Sequence, residues 1–347
     1  MPKALVTGAT GFVGSNLVRT LLQAGWQVRA VVRPTSPLVA LEGLPVERVV
    51  GDLTQPTSLA RAMDGLDAVF HVAALNAFWA RDTREFYRVN VEGTRAVCEA
   101  ALRAGVKRVV HTSTWAVFST PPRGQAITEQ TPTDPRRLTG PYRLTKYLAE
   151  REAMSFVPQG LDLVVVNPTV PVGPWDVKPT PTGRIVLNFL LGRTPAYVHT
   201  TLNLIAVEDV AMGHLLAYQK GRTGQRYLLG HRNITLREIF AILASLTGRK
   251  APRLRLPIPL ALTVAYADHF VEGILLRREP LLPLEGVLHA REWRIADCGK
   301  AVRELGLPQT SVEEALERAV RWFVDHGYVP RRTTTLLTRN PSAQVRP

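Results

Sequence analysis

The chain has 347 residues, of which 46% are apolar, enough for one large folded unit or two moderate ones with a sizeable core. It carries a formal charge of +14, a balance that attracts phosphates, nucleotides or anionic lipid heads, or reflects only a basic, soluble surface. No basic run interleaved with aromatics and no nucleic-acid module is present, which argues against a nucleic-acid partner.

Met1-Pro2-Lys3 leads straight into the strand-like ALVTGA, so no secretion leader is expected. Cys98 and Cys298 stand far apart and fit neither a disulfide framework nor a metal site. A reducing, cytoplasmic setting and no metal follow as expectations. Short β-branched runs (ALVTG, VRAVVR, ERVVG, DAVFHVA, KRVVHTS, LDLVVVNP) alternate with helical patterns over Ser15–Ala24, Glu92–Ala104 and Tyr142–Phe156. Apolar strands alternating with amphipathic helices predict an α/β fold, a doubly wound parallel sheet of the Rossmann type.

The first strand runs into TGATGFVG. Gly8 permits the tight turn, Gly11 lets the backbone approach a pyrophosphate, and Gly14 lets helix and strand pack closely. Amides at the helix start, Phe12 and Val13, then face the phosphates. At the end of the second strand Val32 stands where an acid binds an adenosine ribose, and Arg33 follows with Thr35 and Ser36 nearby. A guanidinium there suits a 2′-phosphate, so NADP(H) is favoured over NAD(H); the other reading has Arg33 stacking on adenine. Asp52, with Leu53 beside it, either accepts from the adenine amino group or caps the next helix.

These pieces, with HVAA at 71–74, RVNVEGT at 88–94, HTST at 111–114, YRLTK at 142–146 and NPTVPVGP at 167–174, resemble the extended short-chain dehydrogenase/reductase family. Within it, VVRPTSPL, NPTVPVGPWDVKPTPTGRI and PAYVHTTLNLIAVEDVAMGHLLA are similar to hopanoid-associated sugar epimerases and to dihydroflavonol-4-reductase-type enzymes. The resemblance implies hydride transfer at a hydroxyl or carbonyl carbon. It implies a sugar epimerase linked to hopanoid lipids or, alternatively, an NADPH-dependent ketone or aldehyde reductase. A non-catalytic NADP(H)-binding regulator is the rival outside enzymes.

Tyr142 and Lys146 lie four apart on a predicted helix and share a face. A neighbouring ammonium and the oxidised nicotinamide are expected to lower the phenol's pKa, letting Tyr142 act as base or acid, while Lys146 holds the nicotinamide ribose. The family pattern places a catalytic hydroxyl at Thr114, with Ser113 as runner-up; Thr112 lines the cofactor or satisfies backbone. Trp115 and Ala116 occupy the positions where sugar-nucleotide 4,6-dehydratases carry an Asp-Glu pair, so that chemistry is not expected. Trp115 is expected to wall the substrate pocket, or to pack in the core. The resemblance further implies that Ala73 and Ala74 run along the cofactor, that Asn167, Pro168, Thr169 and Val170 cover the nicotinamide, and that the chain pairs as a homodimer.

His71 reads as structural and Asn90 as a backbone-bonding residue near the site. Asn76 and Trp79 follow the fourth strand, where loops face a small-molecule substrate. Lys178, Thr182 and Arg184 read either as binding groups for an anionic or polyhydroxyl moiety or as a rigid proline loop. Asp209 begins a helix. RYLLG at 226–230 is expected to rejoin the sheet, giving a nucleotide part of 1–170 plus about 204–230. A smaller, discontinuous C-terminal substrate domain then comprises about 171–203 and 231–330. The run PLALTVAYADHFVEGILL (259–276) is interrupted by Asp268, His269 and Glu272, so it reads as a core helix rather than a bilayer span. An interfacial helix ending in Arg277 and Arg278, giving peripheral membrane contact, is the alternative. The tail from 331 to 347 is expected to be disordered.

Overall fold

A computed structural model describes residues 1–330 except Phe78 and Leu281; the tail expected to be disordered lies outside the described residues. Six strands of the first 168 residues, β1 (Lys3–Thr7), β2 (Gln27–Val32), β3 (Glu47–Val50), β4 (Ala68–His71), β5 (Arg108–Thr112) and β6 (Leu163–Pro168), are parallel. The helices between them are α1 (Phe12–Gln23), α2 (Pro56–Ala62), α3 (Arg84–Tyr87), α4 (Gly93–Arg103) and α5 (Gly140–Met154), with a π turn over Arg88–Glu92. The spatial order is β3-β2-β1-β4-β5-β6, and a later strand, β10 (Arg226–Leu229), pairs parallel with β6 at the edge.

The strands have no polar face because both faces are covered. Ala4, Val6, Val28, Ala30, Phe70, Val110, Val164 and Val166 pack under α1 and α7 (Val207–Lys220). Their alternating neighbours Leu5, Val69, Val109, Leu163 and Val165 pack under α2, α4 and α5. The strand order reverses between β1 and β4, so the crevice outside their carboxyl ends is the ligand-binding position of such a sheet.

The chain leaves this layer after Pro168. Strand β7 (Val170–Val172) pairs with β9 (Thr201–Ala206), which pairs with β11 (Arg232–Thr235). Helices α6 (Pro181–Leu190), α8 (Leu236–Thr247) and α12 (Val312–Asp325) close a second core over this three-stranded sheet. Residues 204–206 thus lie in the smaller sheet, and the return to the nucleotide layer begins at Val207, later than the sequence boundary of 204. The Asp209 carboxylate sits in the first turn of α7, is buried, and accepts from the Thr310 amide (2.7 Å) and hydroxyl (2.9 Å). It therefore pins the approach to α12 as well as opening a helix. Strand β8 (Ala196–Val198) pairs with β12 (Leu254–Leu256). Three further helices complete the fold: α9 (Ile258–Asp268), continued as a π helix to Leu275, then α10 (Leu284–Arg291) and α11 (Gly299–Leu305).

The run 259–276 is not a core helix. Only Ala261 and Ala265 are buried, against Val287 of α10, and the outward side chains stay exposed. Composition cannot separate a buried apolar helix from an uncovered one, because both satisfy the same hydropathy test.

Gly14 faces the Gly8 carbonyl so closely that a Cβ would collide with backbone oxygen. Gly14→Ala should lose about 1–3 kcal/mol of stability, measured by urea unfolding.

Candidate active site

Gly8 has φ +70°, and a Cβ on it would lie 2.7 Å from the Ala73 amide nitrogen. The β1–α1 turn therefore runs against the backbone after β4, which brings Ala73 beside the glycine turn. Gly11 is exposed at the N-cap of α1, no side chain caps that helix, and no acid stands in its first turn. The first-turn amides of Phe12 and Val13 have no intrahelical acceptor. This bare helix end, hemmed in by glycines, fits the pyrophosphate of a dinucleotide.

Arg33 lies exposed just past β2. Burial would raise the Asp52 carboxyl, but bonds from the Thr54 amide (2.9 Å) and hydroxyl (2.8 Å), with the Arg33 and Arg88 guanidiniums nearby, outweigh it and hold Asp52 below the usual range. Asp52 closes a turn at Thr54 and does not cap α2, whose N-cap is Gln55. Two cations and one carboxylate thus gather at the adenosine end. Arg88 was not singled out in the sequence reading; its place in the VNVEGT helix start gives no sign of spatial proximity to Arg33.

At the opposite end stand the hydroxyls of β5 and the start of α5. The Thr114 hydroxyl stands beside the Tyr142 phenol, and its Oγ1 accepts from the Ala116 amide at 3.2 Å. Ser113, the runner-up, has a buried Oγ with no partner among the described residues. Burial pushes the Tyr142 phenol up to about 12, against the pull of the Thr114 bond. In the protein alone, desolvation of the phenolate sets the direction. Lys146 is itself buried, donates to the Thr112 carbonyl at 2.7 Å, and is lowered to about 8 by burial, with Glu150 pulling the other way.

Thr112 Oγ1 donates to His214 Nε2 (2.8 Å), whose Nδ1 donates to the Val210 carbonyl. The hydroxyl is therefore structural and turned into the α7 side of the sheet. His71 is held between Thr7 (2.8 Å) and Thr94 (2.9 Å) and burial keeps it neutral, down to about 3, as its structural reading requires. Asn90 accepts from the Leu75 amide at 2.7 Å and donates to Thr145, fixing the loop that leads to Asn76 and Trp79.

The Asn167 side chain is turned inward. It is fully buried and donates to the Thr114 carbonyl (3.2 Å) and to Glu150 (2.9 Å), which pairs with Arg226 at 2.7 Å. It positions Thr114. Thr169 is likewise turned inward, bonded to the Leu229 carbonyl, while Pro168 ends β6 and Val170 opens β7. Trp115 does not wall an open pocket: it is buried with Val117, Phe118, Ile127 and Leu228, and the Arg294 guanidinium lies 4.8 Å over its ring. Arg184 is paired with Glu279 at 2.8 Å, Lys178 is exposed, and Thr182 lies in the first turn of α6, whose Thr180 cap bonds Asp176. Of the three, only Arg184 is engaged in an ion pair among the described residues.

The sequence reading missed the clamp around HTSTWAVF. Arg143, buried beside Tyr142 on α5, donates to the Ala116 carbonyl (2.8 Å) and pairs with Glu292 (3.0 Å). Arg294 donates to the carbonyls of Trp115 (3.0 Å) and Phe118 (2.9 Å), and burial lowers it to about 9. The one available signal was an arginine flanked by the two catalytic candidates on a helix whose inner face must be buried. From α10, Glu285 packs on Gly140 at the start of α5, and burial pushes its carboxyl up to about 7 against the pull of Arg143. Cys98 and Cys298 are free and buried, and the described residues hold no cluster of three metal-ligating side chains.

The model of the NAD dependent epimerase/dehydratase family matches residues 4–230, and the chain belongs to that family. It is an NAD(P)-dependent oxidoreductase. A Synechocystis protein provisionally named dihydroflavonol 4-reductase is 48% identical over 328 residues, covering 93% of this chain and 95% of its own. Sterol demethylase protein B of Methylococcus capsulatus is 38% identical over 326 residues, covering 94% and 99%. The crystal structure of gox2253 superposes with a TM-score of 0.85 at 38% identity, over 95% of this chain and 100% of that one.

Glu292→Gln should leave two buried guanidiniums with one weakened partner and cost about 2 kcal/mol in urea unfolding. It should also lower turnover by loosening Thr114, whereas Thr120→Val, which removes only a hydroxyl from Glu292, should cost less.

Proposed function

We propose that this enzyme is a reductase, running also as a dehydrogenase, that acts on a ketone or alcohol carried by an apolar ring system and prefers NADP(H). The observation that carries the reading is the Thr114 hydroxyl set beside the Tyr142 phenol, one helical turn from Lys146, which is buried on the Thr112 carbonyl. When bound there, nicotinamide supplies or accepts the hydride. Tyr142 hands its proton to the carbonyl oxygen as the carbon is reduced, and solvent returns it. Thr114 orients that oxygen, and the Lys146 ammonium stabilises the phenolate left behind. In the reverse direction the phenolate takes the proton of the alcohol.

The substrate class is inferred from the relatives: one bears a flavonol reductase name and the other a sterol name, and both span nearly the whole chain. The cofactor preference rests on Arg33 and Arg88 flanking Asp52. A hopanoid-linked sugar epimerase would use the same Thr114, Tyr142 and Lys146, and the 167–185 stretch favours it by resemblance. It ranks second because Arg184, one of its candidate sugar-binding groups, is already paired with Glu279.

Purified enzyme should oxidise NADPH faster than NADH with sterol or flavanone ketones. Tyr142→Phe should cut kcat by about 100-fold or more. Isomer exchange of a nucleotide sugar, with no ketone turnover, would overturn the assignment. Arg33→Ala should raise KM for NADPH about tenfold and leave that for NADH unchanged, as expected for loss of a charged phosphate contact. Tyr142 keeps its proton until about pH 12, whereas Lys146 loses its charge as pH rises through about 8. The reductive rate should therefore fall above about pH 8, and Lys146→Met should remove that limb from the pH profile.

A further inference from the structure

The helix from Ile258 to Leu275 is the one described helix long and apolar enough to cross a bilayer, with a mean hydropathy of 1.3. Its geometry argues against crossing. The strand before it, β12, is hydrogen-bonded to β8. Ala261 and Ala265 are packed against α10, and the Asp268 carboxylate accepts from the Leu282 amide at 2.7 Å. One side is therefore fastened to the protein along much of its length. The other side presents Leu260, Val264, Tyr266, Phe270, Val271, Ile274, Leu275 and Leu276, with Phe270 and Ile274 each 55% and Leu275 63% exposed. A continuous apolar stripe of about 27 Å facing outward is far from the scattered surface leucines of an ordinary soluble domain.

Charge tells what covers it. Lys250, Arg253 and Arg255 are exposed just before the helix, and Arg277 and Arg278 are exposed just after it. The acids within the helix are Asp268 and Glu272, both partly buried. Cations at both ends of an apolar stripe match a helix lying in the plane of an anionic membrane, with side chains among the acyl chains and arginines on the headgroups. A second protein copy would bring the same cations against these, a repulsive match.

We propose that this face docks on an anionic lipid bilayer. At its far end the helix meets the rest of the fold: Gly273 lies against the Trp79 indole, in the loop after β4, and Glu279, just past the helix, holds Arg184. The surface stands on burial and charge alone and is independent of the hydride chemistry proposed above, so either can fail without the other.

The test is co-sedimentation of the purified full chain with vesicles of phosphatidylglycerol and phosphatidylcholine, against phosphatidylcholine alone. Binding to the anionic vesicles is expected, weakened about tenfold by Arg253→Glu with Arg278→Glu and by 0.5 M salt. Phe270→Glu with Ile274→Glu should abolish it, while leaving the thermal midpoint and NADPH oxidation on a water-soluble ketone unchanged, since both side chains point away from the core. No sedimentation above the vesicle-free control would overturn the proposal. So would a dimer in light scattering that dissociates in the Phe270→Glu, Ile274→Glu variant without any vesicle binding.

Discussion

Two guanidiniums buried around one carboxylate hold the active-site loop in place. Arg143 and Arg294 share Glu292 and also donate to the carbonyls of residues 115, 116 and 118. These carbonyls belong to a turn with few backbone partners of its own, so without the clamp several acceptors would be buried and unpaired. The cost of desolvating the charges is offset only because each guanidinium bonds several acceptors at once. Asn167 grips the Thr114 carbonyl from β6, so the hydroxyl is fixed from two sides before any substrate arrives. The chemistry is thereby placed on a loop with the rigidity of a strand.

The clamp also joins the two lobes. Glu292 and Arg294 come from the chain after α10, far from the first 168 residues that build the sheet, and the Ile127 amide bonds the Ile295 carbonyl beside them. The substrate lobe is thus wired to the catalytic turn by buried ionic contacts. Glu292 links the chain after α10 to the turn that follows Thr114, and Glu285 of α10 packs on Gly140 at the start of α5.

The sheet was legible because its strands are short apolar runs at parallel-sheet spacing, and the glycine turn because each glycine has a steric reason. Tyr142 and Lys146 were legible from helical spacing. Arg143, one residue from Tyr142, was not, because a buried arginine is defined by carbonyls and a carboxylate far along the chain. Asn167 reads as a cover of the nicotinamide and Trp115 as a pocket wall or a core residue, and the fold turns both side chains inward: position in a motif says which strand end a residue occupies, not which way its side chain turns. The 258–275 helix shows the same limit, since hydropathy records what a side chain prefers and not whether the fold supplies it.

Three imidazoles fill the interior of the sheet layer. His71, His111 and His214 are fully enclosed, and burial holds all three below their ordinary pKa, His71 to about 3 and His214 to about 4. Released in an unfolded chain, each would take up a proton near pH 6.5 that the native protein refuses. Folding is thus favoured in full above that value and progressively undermined as the medium acidifies towards pH 4. The histidine share of acid sensitivity is therefore set by packing in the interior, while the buried carboxyls of Glu285 and Asp176, raised to about 7 and about 6, pull in the opposite direction by taking up protons in the folded chain.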